Sequence, residues 1–555
     1  MTSLAKQHKP HLQVTKIGIG TRGYLLAALS VVILLQIELI FSKSINWDEF
    51  YHFSEITEFN AGRPTEMFQT PYVKLFWWIP FTPGDNIFHI QLARLITLTF
   101  ELATVGIIIA MTRRFVDQNA ALISGLAFAS GGFVFLHAFA LRSDMIASAA
   151  LMMSLYILMT GPFKARTLLI AVVLGGIGFI CTIKSVFYGP AFFGIAYYRL
   201  EDRLHRITLV TITVCVVIFG SALILFGPYL PSSGVLGLLQ NASLLGRTSI
   251  EWMFTQGFFP QQGWALRQAL IAPILTIAVL MVPISVLRAK AFDGLAVMRL
   301  GLFAPLLTVP FYYNAYPYHY AFILPPVVVA AAPEFAAMLR RYGFGIISGG
   351  MVASAIFLSL TQDRAVIERQ RTIQTGLREM FPDGAVYIDN CGLAGDFPRA
   401  VNKFATAWAL RDYRRKGSPS YSEAMRRETV PLLLIDAPTL LDAVKNNGIS
   451  DGLLPADTAV IQENFIPHWG FAYVAGKVIP AGSANLKLDF AVPGLYTIEG
   501  GDITIDRVGH AAGDVVSLAR GPHIVTSAAE VTLRWGDHLR RPTQPWPREQ
   551  YFTIY

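Results

Sequence analysis

The sequence predicts a polytopic α-helical membrane protein with about eleven transmembrane helices and a C-terminal soluble domain, in which an α/β part precedes a β-sheet part. Two observations indicate this fold class. Of the 555 residues, 53% are hydrophobic and only 15% are charged, which is typical of a membrane protein. The long apolar runs lie before residue 362, and short polar and apolar stretches alternate after it.

The apolar runs are long enough to be spans, because a helix needs about 20 apolar residues to cross a hydrocarbon core. The connection between the fifth and sixth spans is the shortest, since it consists of Lys184 and Ser185. The predicted spans are 22–42, 88–111, 118–138, 142–160, 167–183, 186–200, 206–227, 266–287, 297–314, 318–338 and 343–361.

The positions of Lys and Arg predict the direction of the spans. The net charge of +8 comes from basic residues that gather in alternate connections, as expected of cytoplasmic loops. We therefore interpret this charge as a topology signal and not as a nucleic-acid surface. The tail 1–21 is expected in the cytoplasm, and loops 43–87 and 228–265 and the C-terminal region are expected outside. Aromatic stretches in 43–87 suit helices that lie in the membrane interface.

Two parts are expected after the last span. PDGAVYIDN and VPLLLID have the pattern of strands and FPRAVNKFATAWALRDYRR that of a helix, so residues 362–480 are predicted to form an extracytoplasmic α/β domain. Residues 481–555 alternate between turns and are predicted to form a β-sheet module. This module either binds glycan or covers the membrane part as a structural lid. The three cysteines form no disulfide framework or CxxC metal motif.

Acidic residues appear where the chain leaves the first span. The stretch SINWDEFYHF places Asp48 and Glu49 side by side there, followed by His52, and the fourth span opens with Arg142 and Asp144 in LRSDM. Ionisable groups near the bilayer are costly unless they are paired or used. The sequence therefore predicts a functional site at the outward ends of the spans.

Cationic and hydrogen-bonding side chains fall on the same predicted side. A carboxylate at this rim can take a proton from a hydroxyl, while cations hold a departing phosphate. The candidates for binding a phosphate or another part of the substrate are Lys74, Arg142, Lys184, Arg247, His319, Tyr320 and His52.

Each of these residues also has a purely structural interpretation. Asp48 can cap the helix that follows it, and Arg142 with Asp144 can form an ion pair at a helix end. Lysine and arginine near a bilayer often extend to lipid headgroups. His319 lies between two tyrosines in a predicted aromatic belt. The sequence leaves these alternatives open.

In their predicted topology, these residues resemble a family. A first span, a long outward loop that opens with an acidic pair, a second acid after Arg in LRSDM and a C-terminal extracytoplasmic domain are similar to the GT-C integral-membrane glycosyltransferases. The bacterial branch related to protein O-mannosyltransferases and the lipid A aminoarabinose transferase is the most similar. The resemblance covers about residues 22–361. It implies a sugar donor linked to polyprenyl phosphate, an extracytoplasmic active site and inversion at the anomeric carbon.

The resemblance also implies roles for single residues. Asp48 matches the acid that acts as general base, Glu49 its neighbour that shapes the site, and Asp144 the acid of the second outward turn. Lys74, in QTPYVKLFWW, lies where relatives have a basic residue near the donor phosphate, although the Lys-Pro pattern of some relatives is absent. Some relatives hold a divalent cation, and Asp48, Glu49 and Asp144 are a possible oxygen ligand set for one. Beyond this cation no cofactor is expected.

The predicted function is therefore that of a glycosyltransferase of EC class 2.4 in the bacterial inner membrane. It moves a sugar from a polyprenyl-phosphate donor to a glycan, lipid or protein acceptor on the periplasmic side. A transporter or flippase of a lipid-linked glycan is the main alternative. Such proteins usually carry ionisable groups near the bilayer midplane or broken helices in repeated halves, whereas these spans are almost uncharged. A non-catalytic scaffold with a periplasmic binding domain is the third possibility.

Overall fold

The computed structural model of the protein describes residues 19–63, 71–229, 239–240, 243–244, 246–247, 250–251, 253–254, 257–289, 293–401, 407–445, 452–547 and 551–552. Up to residue 361 the described chain is mostly helical. Its α-helices include α1 (Ile19–Ser42), α2 (Trp47–Asn60), α3 (Asn86–Thr112), α4 (Gln118–Ala129), α5 (Phe133–His137), α6 (Ser143–Thr160), α7 (Ala165–Cys181), α8 (Gly189–Arg199), α9 (Arg203–Phe226), α10 (Gln262–Ile271), α11 (Pro273–Leu287), α12 (Gly294–Phe303), α13 (Pro317–Ala330), α14 (Ala332–Tyr342) and α15 (Phe344–Leu360). Short 3₁₀ helices occur at Pro71–Phe76, Ile79–Phe81, Ile183–Tyr188, Gly227–Tyr229 and Ala304–Thr308.

Several helices have the length and composition of membrane spans. Among the described residues these are 4 helices, α1, α3, α6 and α9, and the number rises to 7 if each of three bent helix pairs is one span. Helix α7 is apolar but shorter, as is the stretch from α12 through the following 3₁₀ helix. These helices make the chain a membrane protein. The total of eleven spans stays a prediction.

The predicted span 118–138 is interrupted in the structure. Helices α4 and α5 are separated at Gly131 and Gly132, because Gly132 has a positive φ of 63°. Gln268 of α10 satisfies the backbone groups at this break: its Oε1 accepts from the Phe133 N–H at 2.8 Å, and its Nε2 donates to the Gly131 carbonyl at 3.0 Å. A Cβ on Gly132 would lie 2.7 Å from Gln268 Oε1, so only glycine suits this position.

Two more predicted spans, 266–287 and 318–338, are not straight helices. Helices α10 and α11 meet at an angle of 109°, and α13 and α14 meet at 69°. In both pairs the second helix has a proline in its first turn. Proline is pre-set for a helix start, but it has no N–H with which to continue the helix before it. Each of these predicted spans therefore consists of two helices.

The first outward segment begins with α2, and a capping box fixes the start of this helix. The Asn46 side-chain oxygen accepts from the Asp48 N–H at 2.9 Å, and Glu49 Oε2 accepts from the Asn46 N–H at 3.1 Å. Such reciprocal bonds satisfy donors that a helix start leaves open. The phenylalanines of the first two turns are fully buried. Helix α2 is therefore packed into the protein core, whereas the aromatic pattern predicts a helix in the membrane interface.

The C-terminal region combines helices and strands, as predicted. Its helices are α16 (Ala365–Met380), α17 (Ala407–Lys416), α18 (Ser420–Arg427), α19 (Pro438–Lys445) and α20 (Pro455–Asn464). Its strands are β1 (Tyr387–Ile388), β2 (Leu432–Leu434), β3 (Phe465–Trp469), β4 (Ala472–Ile479), β5 (Ser483–Phe490), β6 (Gly494–Glu499), β7 (Ile503–Ile505), β8 (Val508–His510), β9 (Val515–Leu518), β10 (Gly521–Ser527) and β11 (Val531–Trp535).

One sheet crosses the predicted domain boundary at residue 480. A 7-stranded sheet has the order β1-β2-β4-β11-β6-β9, with β3 also paired to β4, and a 4-stranded sheet has the order β5-β10-β7-β8. Strand β4 pairs with β2 on one side and with β11 on the other, so the division at 480 is wrong for the sheet. Ile479, which precedes this boundary, also shares a small core with Phe490, Tyr496 and Leu533, which follow it. Alternation in a sequence shows strands but not which strands pair.

Candidate active site

Four charged side chains form a continuous chain of ion pairs at the start of α2 and α6. Arg142 NH1 pairs with Asp48 Oδ2, and Arg142 Nε donates to Asp144 Oδ2 at 3.0 Å. Lys184 Nζ pairs with the other oxygen, Asp144 Oδ1. Negative and positive side chains alternate in this series, so its two negative charges equal its two positive charges. We call these four residues the charge chain.

Local structure brings the charge chain together from three places in the sequence. Asp48 and Asp144 are each the second residue of a helix, α2 and α6, where a negative charge is favoured by the helix dipole. Arg142 is the N-cap of α6 and has an extended backbone, with φ of −146°. Lys184 lies in the 3₁₀ helix after α7, where its N–H donates to Thr182 Oγ1 at 3.4 Å.

The charge chain is mostly shielded from water, and an aromatic ring packs against its two cations. The side chains of Arg142 and Asp48 are 15% and 12% exposed, whereas those of Lys184 and Asp144 are 7% and 4% exposed. The guanidinium carbon of Arg142 lies 3.5 Å from the centre of the Tyr318 ring, and Lys184 Nζ lies 5.1 Å from it. The more exposed end is therefore the end that carries Asp48.

Glu49 holds the site together but does not face the charge chain. Its carboxylate forms a bidentate pair with Arg94 of α3, at 2.8 and 2.6 Å, and also accepts from the Leu141 N–H at 3.0 Å. Arg94 donates further to the carbonyls of Lys43 and Ser44. Burial raises the pKa of Glu49, but the guanidinium of Arg94 outweighs it and holds that pKa below its usual value. Glu49 therefore holds the start of α2 against α3, and the role that the resemblance implies for it stays a prediction.

The three acids that were considered as a metal ligand set do not converge. Asp48 and Asp144 face the cations of the charge chain, and both oxygens of Glu49 are bonded to Arg94. A divalent cation would have to displace these partners to gain carboxylate ligands. The described residues thus do not assemble a metal site from these three acids.

His52 lies next to the charge chain on α2. It follows Asp48 by four residues, so the two side chains emerge on the same face of the helix. Its ring packs edge-on against Tyr72, with 5.4 Å between ring centres, and its buried Nδ1 has no hydrogen-bond partner among the described residues. Burial lowers the pKa of His52 to about 4. The imidazole is therefore neutral at pH 7, so it can form a hydrogen bond but carries no positive charge.

His319 and Tyr320 are buried beside the charge chain rather than in it. His319 Nε2 lies 3.2 Å from Thr308 Oγ1, and its ring packs 4.8 Å from that of Tyr312. The hydroxyl of Tyr320 is buried without a hydrogen-bond partner among the described residues. Their neighbour Tyr318 makes the contact with the cations.

The contacts that Lys74 and Arg247 make do not involve the charge chain. Lys74 is exposed, and its ammonium lies 5.3 Å from the centre of the Phe59 ring. Arg247 forms an exposed pair with Glu251 at 3.1 Å, in a region, 228–265, of which many residues lie outside the described ones. The geometry therefore does not bring these two cations to the acids.

Two residues of the site are missing from the sequence prediction. Arg94 had a usable signal, because a charged residue within a predicted apolar span is costly unless it has a partner. Tyr318 had a weaker one, since a tyrosine at a predicted membrane interface is ordinary. Its contact with Arg142 depends on how α13 packs beside α6, which no local pattern shows.

Comparison with known proteins agrees with the predicted relationship. Residues 71–231 match the family model described as dolichyl-phosphate-mannose-protein mannosyltransferase. This match confirms the resemblance to GT-C membrane glycosyltransferases, and the matched segment contains Arg94, Arg142, Asp144 and Lys184 but not Asp48. No curated protein sequence matches the chain.

Solved structures of two kinds are similar to this chain. ArnT from Cupriavidus metallidurans, bound to undecaprenyl phosphate, is 12% identical with a TM-score of 0.49, and the alignment covers 76% of this chain and 95% of that one. The oligosaccharyltransferase AglB from Archaeoglobus fulgidus, in complex with an inhibitory peptide and a dolichol-phosphate, is 12% identical with a TM-score of 0.42, covering 95% and 98%. At this level the similarity assigns neither a substrate nor a reaction to the chain.

Proposed function

We propose that the protein is a glycosyltransferase that moves a sugar from a polyprenyl-phosphate donor to a hydroxyl of an extracytoplasmic glycan, lipid or protein. The observation that carries this proposal is the charge chain, in which the carboxylate of Asp48 pairs directly with Arg142 and Asp144 links Arg142 to a second cation, Lys184. Sugar transfer from a lipid phosphate needs a base for the acceptor and positive charge for the leaving group. The charge chain contains a carboxylate that can act as this base and two cations that can supply this positive charge.

Asp48 is the proposed general base. Its Oδ2 pairs with Arg142 and its side chain is 12% exposed, so its Oδ1 lies outside that ion pair. An acceptor hydroxyl can therefore bond to Oδ1 and give up its proton there as its oxygen attacks the anomeric carbon. The bond from that carbon to the phosphate oxygen breaks on the opposite face, so the product has the inverted configuration.

Arg142 and Lys184 are the proposed partners of the leaving phosphate. The transfer releases polyprenyl phosphate, on which negative charge grows as the bond breaks. Positive groups held in place in a shielded site stabilise such charge strongly, because little solvent has to reorganise. Asp144 then positions the two cations, since it pairs with both. Tyr318 supports them from the side of α13.

We place this site on the periplasmic side of a bacterial inner membrane, with the N-terminus in the cytoplasm. The bias of Lys and Arg toward alternate connections supports this orientation. The donor lipid would lie among the spans, and its phosphate would reach the charge chain at their outward ends. The C-terminal domain, in which Gln370 bonds to the backbone of Ile45 just before α2, would limit the access of water, whose attack on the donor competes with transfer.

Substitution of Asp48 tests the proposal. Asp48→Asn keeps the size of the side chain but removes the base, so transfer from purified polyprenyl-phosphate sugar should fall by about 10²–10⁴-fold, while donor binding stays near wild type. Asp85→Asn is the matched control: it removes an acid from the same outward segment, and asparagine caps α3 as well as aspartate does. Activity of Asp48→Asn within a few-fold of the Asp85→Asn control would contradict the proposal.

One observation favours the alternative of a transporter or flippase. Glu101 is fully buried inside α3, where its Oε1 accepts from Gln36 Nε2 at 2.7 Å. Carboxylates within spans are common in transport pathways. Glu101→Gln would abolish movement of a lipid-linked glycan across vesicles if this acid serves transport. Under the glycosyltransferase proposal the same variant keeps sugar transfer near the wild-type rate.

A further inference from the structure

A second cluster of chemically reactive side chains lies in the C-terminal domain, apart from the charge chain. Asp389, Cys391 and Asp436 each offer one ligand atom, and these atoms all lie within 4.8 Å of one another. Asp389 and Cys391 are buried, and Asp436 is half-buried. The predicted site contains none of these residues.

The fold places this cluster where α/β domains commonly bind ligands. Strands β1 and β2 are parallel neighbours, with Tyr387 opposite Leu432. Asp389 directly follows β1, and Asp436 follows β2 by two residues. Both acids therefore lie at the carboxyl ends of adjacent parallel strands, the edge at which open α/β sheets form their binding crevices.

Buried polar atoms at this edge lack hydrogen-bond partners. Asp389 Oδ2 accepts from the Leu393 N–H at 2.6 Å, but its Oδ1 has no hydrogen-bond partner among the described residues, and Arg399 Nε lies 3.8 Å from it. The fully buried hydroxyl of Tyr387 also has none. Tyr387 is the first residue of β1, and Asp389 directly follows this strand. A buried polar atom without a partner is costly and calls for an explanation.

Asp436 holds the loop that carries the cysteine. Its Oδ1 accepts from the Asn390 N–H at 2.8 Å and its Oδ2 from the Cys391 N–H at 3.0 Å. A carboxylate oxygen has two lone pairs, so these bonds leave Asp436 able to bind a cation. These bonds thus hold the loop that carries Cys391 in place without a bound ion.

We propose that Asp389, Cys391 and Asp436 bind one divalent zinc ion. A thiolate with two carboxylates suits zinc, which accepts both sulfur and oxygen ligands, whereas magnesium and calcium prefer oxygen alone. On binding, the Cys391 thiol releases its proton to solvent and the thiolate ligates the metal. The ion would also give Asp389 Oδ1 the partner that it lacks.

The zinc site would fix the C-terminal domain to the helix that carries Asp48. Gly392, inside the ligand loop, has a positive φ of 78°, and a Cβ there would lie 2.5 Å from Ser54 Oγ of α2. Arg399 NH1 donates to the same Ser54 Oγ at 2.9 Å, and Thr57 bonds to the Gly395 carbonyl. The metal would therefore stabilise a loop that packs against α2.

Metal content and cobalt spectra of the full-length protein in detergent test this proposal. Wild type purified without chelator should contain about one zinc per chain. After replacement of zinc by Co²⁺, a thiolate-to-cobalt charge-transfer band should appear in the near ultraviolet. Cys391→Ser should lose this band, and Asp436→Asn should bind Zn²⁺ at least about tenfold more weakly. Cys215→Ser, which removes the exposed cysteine of α9, is the control and should keep both the metal and the band.

Two results would overturn the proposal. One is wild-type protein that is folded but takes up neither zinc nor cobalt. The negative charge of Asp389 would then be compensated by Arg399 and not by a metal ion. The other is a charge-transfer band that survives in Cys391→Ser and disappears in Cys215→Ser. Because the wild-type measurement needs no variant, poor folding of Asp436→Asn does not affect this conclusion. Sugar transfer is not the readout, so failure here leaves the proposed function untouched.

Discussion

The guanidinium carbon of Arg142 lies 3.5 Å from the centre of the Tyr318 ring. At this distance the cation is attracted to the face of the ring. The contact therefore fixes the guanidinium between the two acids of the charge chain and leaves it less free to turn toward solvent. Tyr318 is a positioning residue in this arrangement, since it acts through Arg142.

Removal of the Tyr318 ring should weaken the binding of donor. A cation–π contact at a shielded site contributes about 0.5–2 kcal/mol, so Tyr318→Ala should raise the KM for the polyprenyl-phosphate sugar by about two- to thirtyfold. Tyr318→Phe keeps the ring and should stay within about twofold of wild type. If Tyr318→Phe is as impaired as Tyr318→Ala, the hydroxyl matters and not the ring face.

The Glu49–Arg94 pair should contribute to stability rather than to chemistry. Both side chains are almost fully buried, with 2% and 1% exposed, and removal of one partner leaves the other charge uncompensated. Glu49→Gln should therefore lower the free energy of unfolding by about 3–5 kcal/mol, measured as loss of thermal stability in detergent.

An exposed pair provides the control for Glu49. Glu38 and Arg364 are 3.1 Å apart, but their side chains are 42% and 44% exposed. Glu38→Gln should cost less than about 1 kcal/mol. Comparable losses for the two variants would contradict the structural role of the buried pair, as would a Glu49→Gln protein that is stable but inactive.

The sequence predicts much of this site because its chemistry lies at helix starts. Asp48 follows the first apolar run and Asp144 lies at the start of the fourth, so hydropathy alone predicts that both lie near the ends of spans. Lys184 stands out because its connection has two residues. The pairing of these charges depends on how α2, α6 and the 3₁₀ helix after α7 pack together, and no spacing within one segment encodes that.

The fold was harder to predict where one residue changes the path of the chain. Gly132 breaks a run that hydropathy cannot distinguish from a straight span, because Gln268, far away in sequence, stabilises the break. The buried position of α2 was missed for a similar reason. Its aromatic residues suit a membrane interface equally well, and only the docked C-terminal domain shows that they belong to a core.

The orientation in the membrane can be tested with single cysteines. Cys391 is 2% exposed, so it is a poor target for labelling, and new cysteines are needed at exposed positions. In a Cys215→Ser background, Ala512→Cys in the C-terminal domain should react with a membrane-impermeant thiol reagent in spheroplasts. Ala289→Cys, in the connection after α11, should react only after lysis, because the basic residues around it predict a cytoplasmic position. The opposite pattern would reverse the proposed topology.

Lys184 and Arg142 should differ from the other candidate cations in their effect on transfer. Both contact Asp144 in a shielded site, where a group that stabilises developing charge contributes about 10²–10³-fold to kcat. Lys184→Gln should therefore lower donor binding and kcat together, because the same contact exists with the bound phosphate and strengthens as the bond breaks. Lys184 is the cleaner test, since Asp144 keeps Arg142 as a partner. Arg142→Gln removes a partner from Asp48 as well, so its effect combines two causes.

Lys74→Gln and Arg247→Gln are the matched controls for these cations. Each removes one positive charge from an exposed side chain whose described contacts lie away from the acids, so both should retain wild-type KM and kcat within about twofold. The measurement is steady-state transfer with purified polyprenyl-phosphate sugar, together with equilibrium binding of the donor. Loss of activity in the controls, with full activity in Lys184→Gln and Arg142→Gln, would place the leaving phosphate outside the charge chain.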